Sequence, residues 1–390
     1  MTGSGGGANL DRLLAPELRA IFDDRFVRSC ALFEEYVRRL AIRVVRSTGL
    51  EAAAREPGTA ADLAARAGLD PARSVVPAAW LLSTLAAGGH ATREGADRFV
   101  LRAPLPEPDP GAVAGEQEAH DPACLPSYRL ADRAAALYPD VLRGRVSGEA
   151  ALFAPDQIGA WIDYFSNDNP LYAVSNRIGA LAAERALPRA AGAGNVLEIG
   201  GGLGSATAAL FERLAATGRT AAVGSYRFTE VAPSFLRRGQ RGLAARLPQA
   251  PITAGRLDMD RPFAEAGVEP GSLTLVYGVN TLHVARDLEF TFAEIRRALA
   301  PGGALVLSEC VRPFADRPIY VEFIFNLLES FRAPRLVDPW RPHGGFLSPG
   351  QWTAGLMARG FRDVGVEPDI ERLRDDVPAC VIASISAARG

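Results

Sequence analysis

The hydrophobic positions change period halfway along the chain. Over 10–49 they recur at helical spacing, through Leu13, Leu14, Leu18, Ile21, Phe22 and Phe26, then Leu32, Phe33, Tyr36, Val37, Leu40, Val44 and Val45. Thr59 is placed to cap a short helix that stops at Gly68, a further helix is predicted over 75–87, and the runs 88–93 and 97–101 read as a hairpin. Helix, turn, helix and hairpin is the order of a winged helix. The proline-rich stretch 104–110 and the glycine and glutamate run after it read as a linker, 104–124, followed by a helical connector over 125–187.

Beyond 187 the pattern becomes short apolar runs alternating with helical stretches. Strands are predicted at 196–199, 226–230, 252–257, 272–280 and 304–309, with helices at 205–216 and up to Ala298; a helix at 351–359 and runs at 360–364 and 379–385 close the chain. This alternation predicts an α/β fold: a Rossmann-like, doubly wound sheet with helices on both faces, spanning 188–390, behind a mostly helical winged-helix-like domain at 10–103. In such sheets ligands sit at the carboxyl ends of the strands, where Gly200, Glu230, Asp258, Asn280 and Glu309 fall.

The most informative stretch is Glu198-Ile199-Gly200-Gly201-Gly202-Leu203-Gly204, a buried strand running into a glycine turn and then a helix. Glycine lets bare backbone approach a ligand there, and the helix start offers unpaired N–H groups. The acid before the glycines suits a cationic or hydroxyl-bearing ligand better than a pyrophosphate, whose charge it would repel. Glu230, at the tip of the next strand, can accept two hydrogen bonds from a ribose diol. His283 falls just beyond the 272–280 strand, and Glu309 ends the neighbouring one. An imidazole paired to a carboxylate is the arrangement of a general base.

Composition narrows the function classes. A net charge of −2, and a 75–87 helix without arginine, supply no field or basic stripe for nucleic acid. No apolar run has membrane-spanning length and no signal peptide is present, so a cytoplasmic protein is expected. Cys30, Cys124, Cys310 and Cys380 are scattered, which predicts buried thiols and not a disulfide framework or metal cluster. Residues 1–9, glycine-rich, are expected to be disordered.

The glycine motif with Glu230, Asp258-Met259 and Asn280 in this order resembles the class I S-adenosylmethionine-dependent methyltransferases. The resemblance implies S-adenosyl-L-methionine as cofactor and S-adenosyl-L-homocysteine as product, bound by Glu198, Gly200, Gly202, Gly204, Glu230, Asp258, Met259 and Asn280, with Asp258 and Met259 at the adenine; it also implies an antiparallel last strand. The run Tyr277-Gly278-Val279-Asn280-Thr281-Leu282-His283-Val284-Ala285-Arg286-Asp287-Leu288, with Pro301-Gly302-Gly303 and Leu307-Ser308-Glu309, is similar to the C-methyltransferase domains of polyketide synthases. That similarity implies His283 as the base and Glu309 as its orienter, acting on an acidic carbon of a small biosynthetic intermediate. The N-terminal half resembles the dimerisation domain of small-molecule O-methyltransferases, which implies a homodimer. The chain is expected to stand alone, apart from other synthase domains, and a free and a carrier-protein-bound substrate both stay open. So do O-methylation of a phenol or enol, a SAM-fold cyclase that does not methylate, and a DNA-binding regulator. Tyr164, Phe165, Tyr172, Phe325 and His343 are candidate substrate contacts. His283 and His343 without a third ligand assign no metal.

Overall fold

The computed structural model describes residues 13–95, 97–188 and 194–390. The expectation for 1–9 lies outside the described residues. The chain divides into two compact units: Arg25–Tyr164 with Phe314–Ala333, and Phe165–Pro313 with Pro334–Gly390 and the chain up to Asp24.

In the helical unit, the long helix Asp24–Thr48 buries Phe26, Phe33, Tyr36, Val37, Leu40, Val44 and Val45, the face that the spacing predicts. Thr59 and Asp62 form a reciprocal capping box at the start of Ala60–Arg66. The next helix is Pro71–Ala87, capped by Asp70. It begins earlier than expected because Asp70-Pro71 is itself a start signal, and it therefore includes Arg73. Strands β1 (Gly58–Thr59), β2 (Thr92–Glu94) and β3 (Arg98–Val100) make a small antiparallel sheet in the order β1-β3-β2.

Within the expected linker, Pro110–His120 is a helix, capped by Asp109. Gly111 and Gly115 weaken it by about 1 kcal/mol each, but burial of Val113 and Gln117 overrides propensity. Gln117 donates to Ser29 Oγ (3.1 Å) and accepts from Tyr128 OH (3.1 Å). Phe314–Ala333 joins this unit through Phe323, which stacks on Tyr138 (centroids 4.9 Å apart) and lies 5.7 Å from Trp80.

The second unit holds a seven-stranded sheet: β4 (Gly194–Ile199), β5 (Val223–Thr229), β6 (Ile252–Gly255), β7 (Leu273–Val279), β8 (Leu299–Cys310), β9 (Phe361–Glu367) and β10 (Ile382–Arg389), in the order β6-β5-β4-β7-β8-β10-β9. The five strands from β6 to β8 are parallel, and β10 is inserted antiparallel between β8 and β9. The strand order reverses beside β4, so a crevice opens at the carboxyl ends of β4 and β7. Leu210, Phe211 and Leu214 of helix Ser205–Ala216 pack with Tyr226, Phe228, Leu275, Tyr277 and Val306 of the sheet. Each large side chain so buried contributes roughly 1.5–3 kcal/mol. Helix Pro170–Ala186 adds Ala180 and Ala183 to the same core, which places the latter part of the expected 125–187 connector with the sheet.

Candidate active site

The glycine turn after β4 is built by close contacts. Gly200 has φ +65°, and a Cβ there would lie 2.0 Å from Thr281 Oγ1, so the turn packs directly on the loop after β7. Gly202 also has positive φ (+56°), but nothing lies within 4 Å of where its Cβ would be. Its backbone is therefore open to a ligand. Gly204 is the N-cap of helix Ser205–Ala216. Gly201, absent from the sequence candidates, is required too, because its Cβ would meet the Phe228 ring at 2.2 Å. Glu230 is buried, accepting from Gly202 N at 2.9 Å through one oxygen and from Ala232 N at 2.8 Å through the other. Each carboxylate oxygen retains a second acceptor position.

Glu198 is almost fully buried. Thr207 Oγ1 and Tyr226 OH (2.9 Å) donate to its Oε2, while Oε1 has no hydrogen-bond partner among the described residues. Burial pushes the carboxyl up to about 7, against the two hydroxyl donors, and the Glu230 charge pushes the same way. Thr207 and Tyr226 were missed in the sequence. The signal is register: Tyr226 pairs with Val196 on the neighbouring parallel strand, two residues before Glu198 and hence on its face.

The raised value has a testable sign. The unfolded chain releases this proton near 4.5 and the folded chain near 7, so the folded state loses stability as pH rises through that window. The loss is on the order of 3 kcal/mol. Without SAM, the advantage of Glu198→Gln over wild type in unfolding midpoint should grow between about pH 5 and about pH 8. A pH-independent difference would contradict the raised carboxyl.

The loop after β6 carries Asp258 and Met259, both half-buried. Asp258 Oδ1 accepts from Asp260 N (3.0 Å), and Asp258 lines a cavity of about 300 Å³ with Arg256, Arg261 and Glu265. The Met259 carbonyl accepts from Thr291 Oγ1 (3.1 Å). Asn280 has φ +47°, donates through its backbone to Ser308 O (2.7 Å) and accepts through Oδ1 from Cys310 N (3.0 Å). Its side-chain oxygen thus joins the ends of β7 and β8.

His283 lies in the short turn Leu282–Val284, with Nδ1 2.7 Å from Glu309 Oε2. Both are buried, at 4% and 0% exposure. The other Glu309 oxygen accepts from Thr281 N (3.1 Å) and Leu282 N (2.9 Å), so one carboxylate holds both the turn and the ring. A carboxylate at Nδ1 selects the tautomer with its proton there and makes Nε2 the basic nitrogen. The Phe346 ring, also missed in the sequence, lies 4.3 Å from the imidazole, centroid to centroid.

Tyr172 is brought among these carboxylates. Its phenol is held well above the usual range by burial, and Cys310, Glu198, Glu309 and Glu230 act in the same direction. Phe165 meets the Tyr172 ring edge-on at 5.0 Å, and its carbonyl accepts from Ser205 Oγ (2.6 Å) at the start of the glycine-loop helix. His343 faces Arg312: Nη1 of the arginine is 3.0 Å from Nε2, and Nδ1 is 2.9 Å from the Gly344 carbonyl. Arg can only donate, so Nε2 accepts and the ring is neutral. Tyr164 and Phe325 belong to the helical unit, where their rings lie 6.5 Å apart and both adjoin Trp161. Cys30, Cys124, Cys310 and Cys380 are buried thiols.

The fold is that of the class I S-adenosylmethionine-dependent methyltransferases, and residues 197–305 match the methyltransferase domain family. In sequence the chain is 32% identical over 266 residues, 67% of its length, to highly reducing polyketide synthase 2 of Gibberella zeae, covering 10% of that protein. It spans about a tenth of the length of the curated relatives it matches. In fold it is similar to the CurJ carbon methyltransferase (TM-score 0.79, 22% identity, 98% of both chains). It is also similar to the citrinin polyketide synthase CMeT domain (TM-score 0.69, 19% identity, 99% of this chain and 95% of that one).

Proposed function

We propose that this chain methylates an acidic carbon of a small natural-product intermediate, of β-dicarbonyl or keto-acid type, with His283 as general base and Glu309 as its orienter. The observation that carries the reading is the buried 2.7 Å contact between His283 Nδ1 and Glu309. When bound, S-adenosyl-L-methionine supplies a methyl group already activated on a sulfonium. The residues fit it: Glu230 has acceptor positions left for a ribose diol, and the Gly202 backbone is open where a Cβ would block approach. Glu198, Gly200, Gly204, Asp258, Met259 and Asn280 would complete its site.

His283 Nε2 takes the proton from the carbon flanked by two carbonyls, and the Glu309 carboxylate stabilises the imidazolium that results. Burial of both groups strengthens that interaction, because water does not screen it. Glu309 points at His283 and not away, which favours carbon over a phenol or enol oxygen as acceptor. Tyr172, Phe165 and His343 are proposed to contact the acceptor.

The helical unit is proposed to be a winged-helix-like dimerisation domain. Arg73 of Pro71–Ala87 donates to the Val146 carbonyl (2.7 Å), which supports dimerisation over DNA contact. No helix among the described residues is long and apolar enough to cross a membrane, and we place the protein in the cytoplasm. Likeness to polyketide synthases supports a carrier-bound acyl thioester as acceptor.

The test is a substrate panel with S-adenosyl-L-methionine: β-ketoacyl thioesters, free β-dicarbonyls, keto acids and phenols, read by mass and by NMR of the product. A single methyl on the carbon between two carbonyls is the expected result. Methylation of phenols alone would overturn the proposal.

A further inference from the structure

Arg341 is an unusual residue to find with no exposure at all. Its backbone is clamped: Arg341 N donates to Val337 O at 2.6 Å, and Val337 N donates back to Arg341 O at 3.0 Å. The preceding Trp340 is buried too, 6.1 Å from the Phe292 ring and against Gly355, where a Cβ would meet it at 2.7 Å. The guanidinium is therefore delivered by a rigid segment. Its Nη2 donates to the His283 carbonyl at 2.8 Å, while Nε and Nη1 are buried with no hydrogen-bond partner among the described residues.

Packing alone does not account for this choice. A buried cation with unpaired donors is costly, and a methionine would fill much of the same space without them. The compensating feature is where the one bond lands. The turn bearing His283 is held at its start by Glu309, which takes Thr281 N and Leu282 N. At its far end Asp260 takes Arg286 N (3.1 Å) and Asp287 N (3.2 Å). Between these two anions the His283 carbonyl accepts from Arg341, whose charge burial disfavours and Asp260 and Asp287 partly restore.

We propose that Arg341 is a positioning residue for the base: by fixing the His283 carbonyl it keeps the imidazole on Glu309. This rests on the reading of His283 as the base. A misplacement of about 1 Å in a reacting group can cost about a hundredfold in rate, so loss of the strut should appear in kcat.

The experiment compares wild type, Arg341→Met, Arg341→Lys and His283→Ala in methyl transfer to a β-ketoacyl thioester, with SAM binding by calorimetry and thermal melts. Arg341→Met should lower kcat about 10- to 100-fold, with acceptor KM and SAM affinity within about twofold of wild type. Arg341→Lys, which keeps a cationic donor, should recover kcat to within about fivefold of wild type. An undiminished kcat in Arg341→Met would overturn the proposal. So would a loss of SAM affinity that parallels the loss of rate, or a lysine variant no better than methionine. If the methionine variant does not fold, the lysine variant decides: kcat lowered by up to about fivefold with SAM affinity intact supports the strut, whereas an unchanged kcat, or kcat and SAM affinity lowered together, overturns it. An active His283→Ala would instead sink the assignment of the base, whereas an inactive His283→Ala beside a fully active Arg341→Met would sink only the strut.

Discussion

Replacing His283 with alanine should lower the rate of methyl transfer by about a thousandfold, within the 10²–10⁴ range that a positioned general base contributes. SAM affinity should stay within about twofold, since the other residues proposed to hold the cofactor are untouched. Glu309→Gln is the more discriminating variant. Its amide oxygen can still accept Thr281 N and Leu282 N, so the turn is kept. Its NH₂ group then faces Nδ1 and can only donate, which drives the imidazole proton to Nε2 and removes the basic lone pair from the reacting side. A fall of about a hundredfold or more is expected in a folded protein. A cofactor-free measurement separates base from scaffold: exchange of the acidic carbon's hydrogen for deuterium, followed by NMR with a β-dicarbonyl. Wild type should accelerate exchange, and both variants should not. Unchanged exchange and transfer in His283→Ala would remove the base from the mechanism.

The sheet and its ligand edge were legible because they are local. Each strand is an apolar run, each helix an amphipathic one, and the register across the parallel strands brings Glu198, Glu230, Asn280 and Glu309 to one end. The His283–Glu309 pairing was suggested by two neighbouring strand ends and sharpened by family likeness, since spacing alone does not dictate a contact between residues 26 apart. Three features were not readable. The helix Pro110–His120 looked like a linker because its glycines and proline outweigh its two buried positions until Ser29 and Tyr128 receive Gln117. Residues Phe314–Ala333 follow β8 in sequence but join the helical unit, a partnership set by Phe323 against Tyr138 and Trp80. Arg341 sits in a stretch with no periodicity, and its importance is a matter of which carbonyl it reaches.

Glu230→Ala should weaken S-adenosyl-L-methionine and S-adenosyl-L-homocysteine binding by about a hundredfold or more. A ribose diol would donate two charge-assisted hydrogen bonds to this carboxylate, each contributing about 1.5–3 kcal/mol. The alanine variant also abandons Gly202 N and Ala232 N, the two donors that hold the glycine turn to the tip of β5. Glu230→Gln should do little better. One end of the amide presents N–H where an acceptor is needed, so either Gly202 N or Ala232 N meets a donor and the turn loses a bond. Calorimetry with both cofactor forms measures the effect directly, and affinity within about threefold of wild type would remove the ribose from Glu230. The contrast with His283 then locates the two roles. Saturating cofactor should restore most of the rate in Glu230→Ala, because its defect is in binding, and should restore none in His283→Ala, whose defect lies in the proton transfer itself.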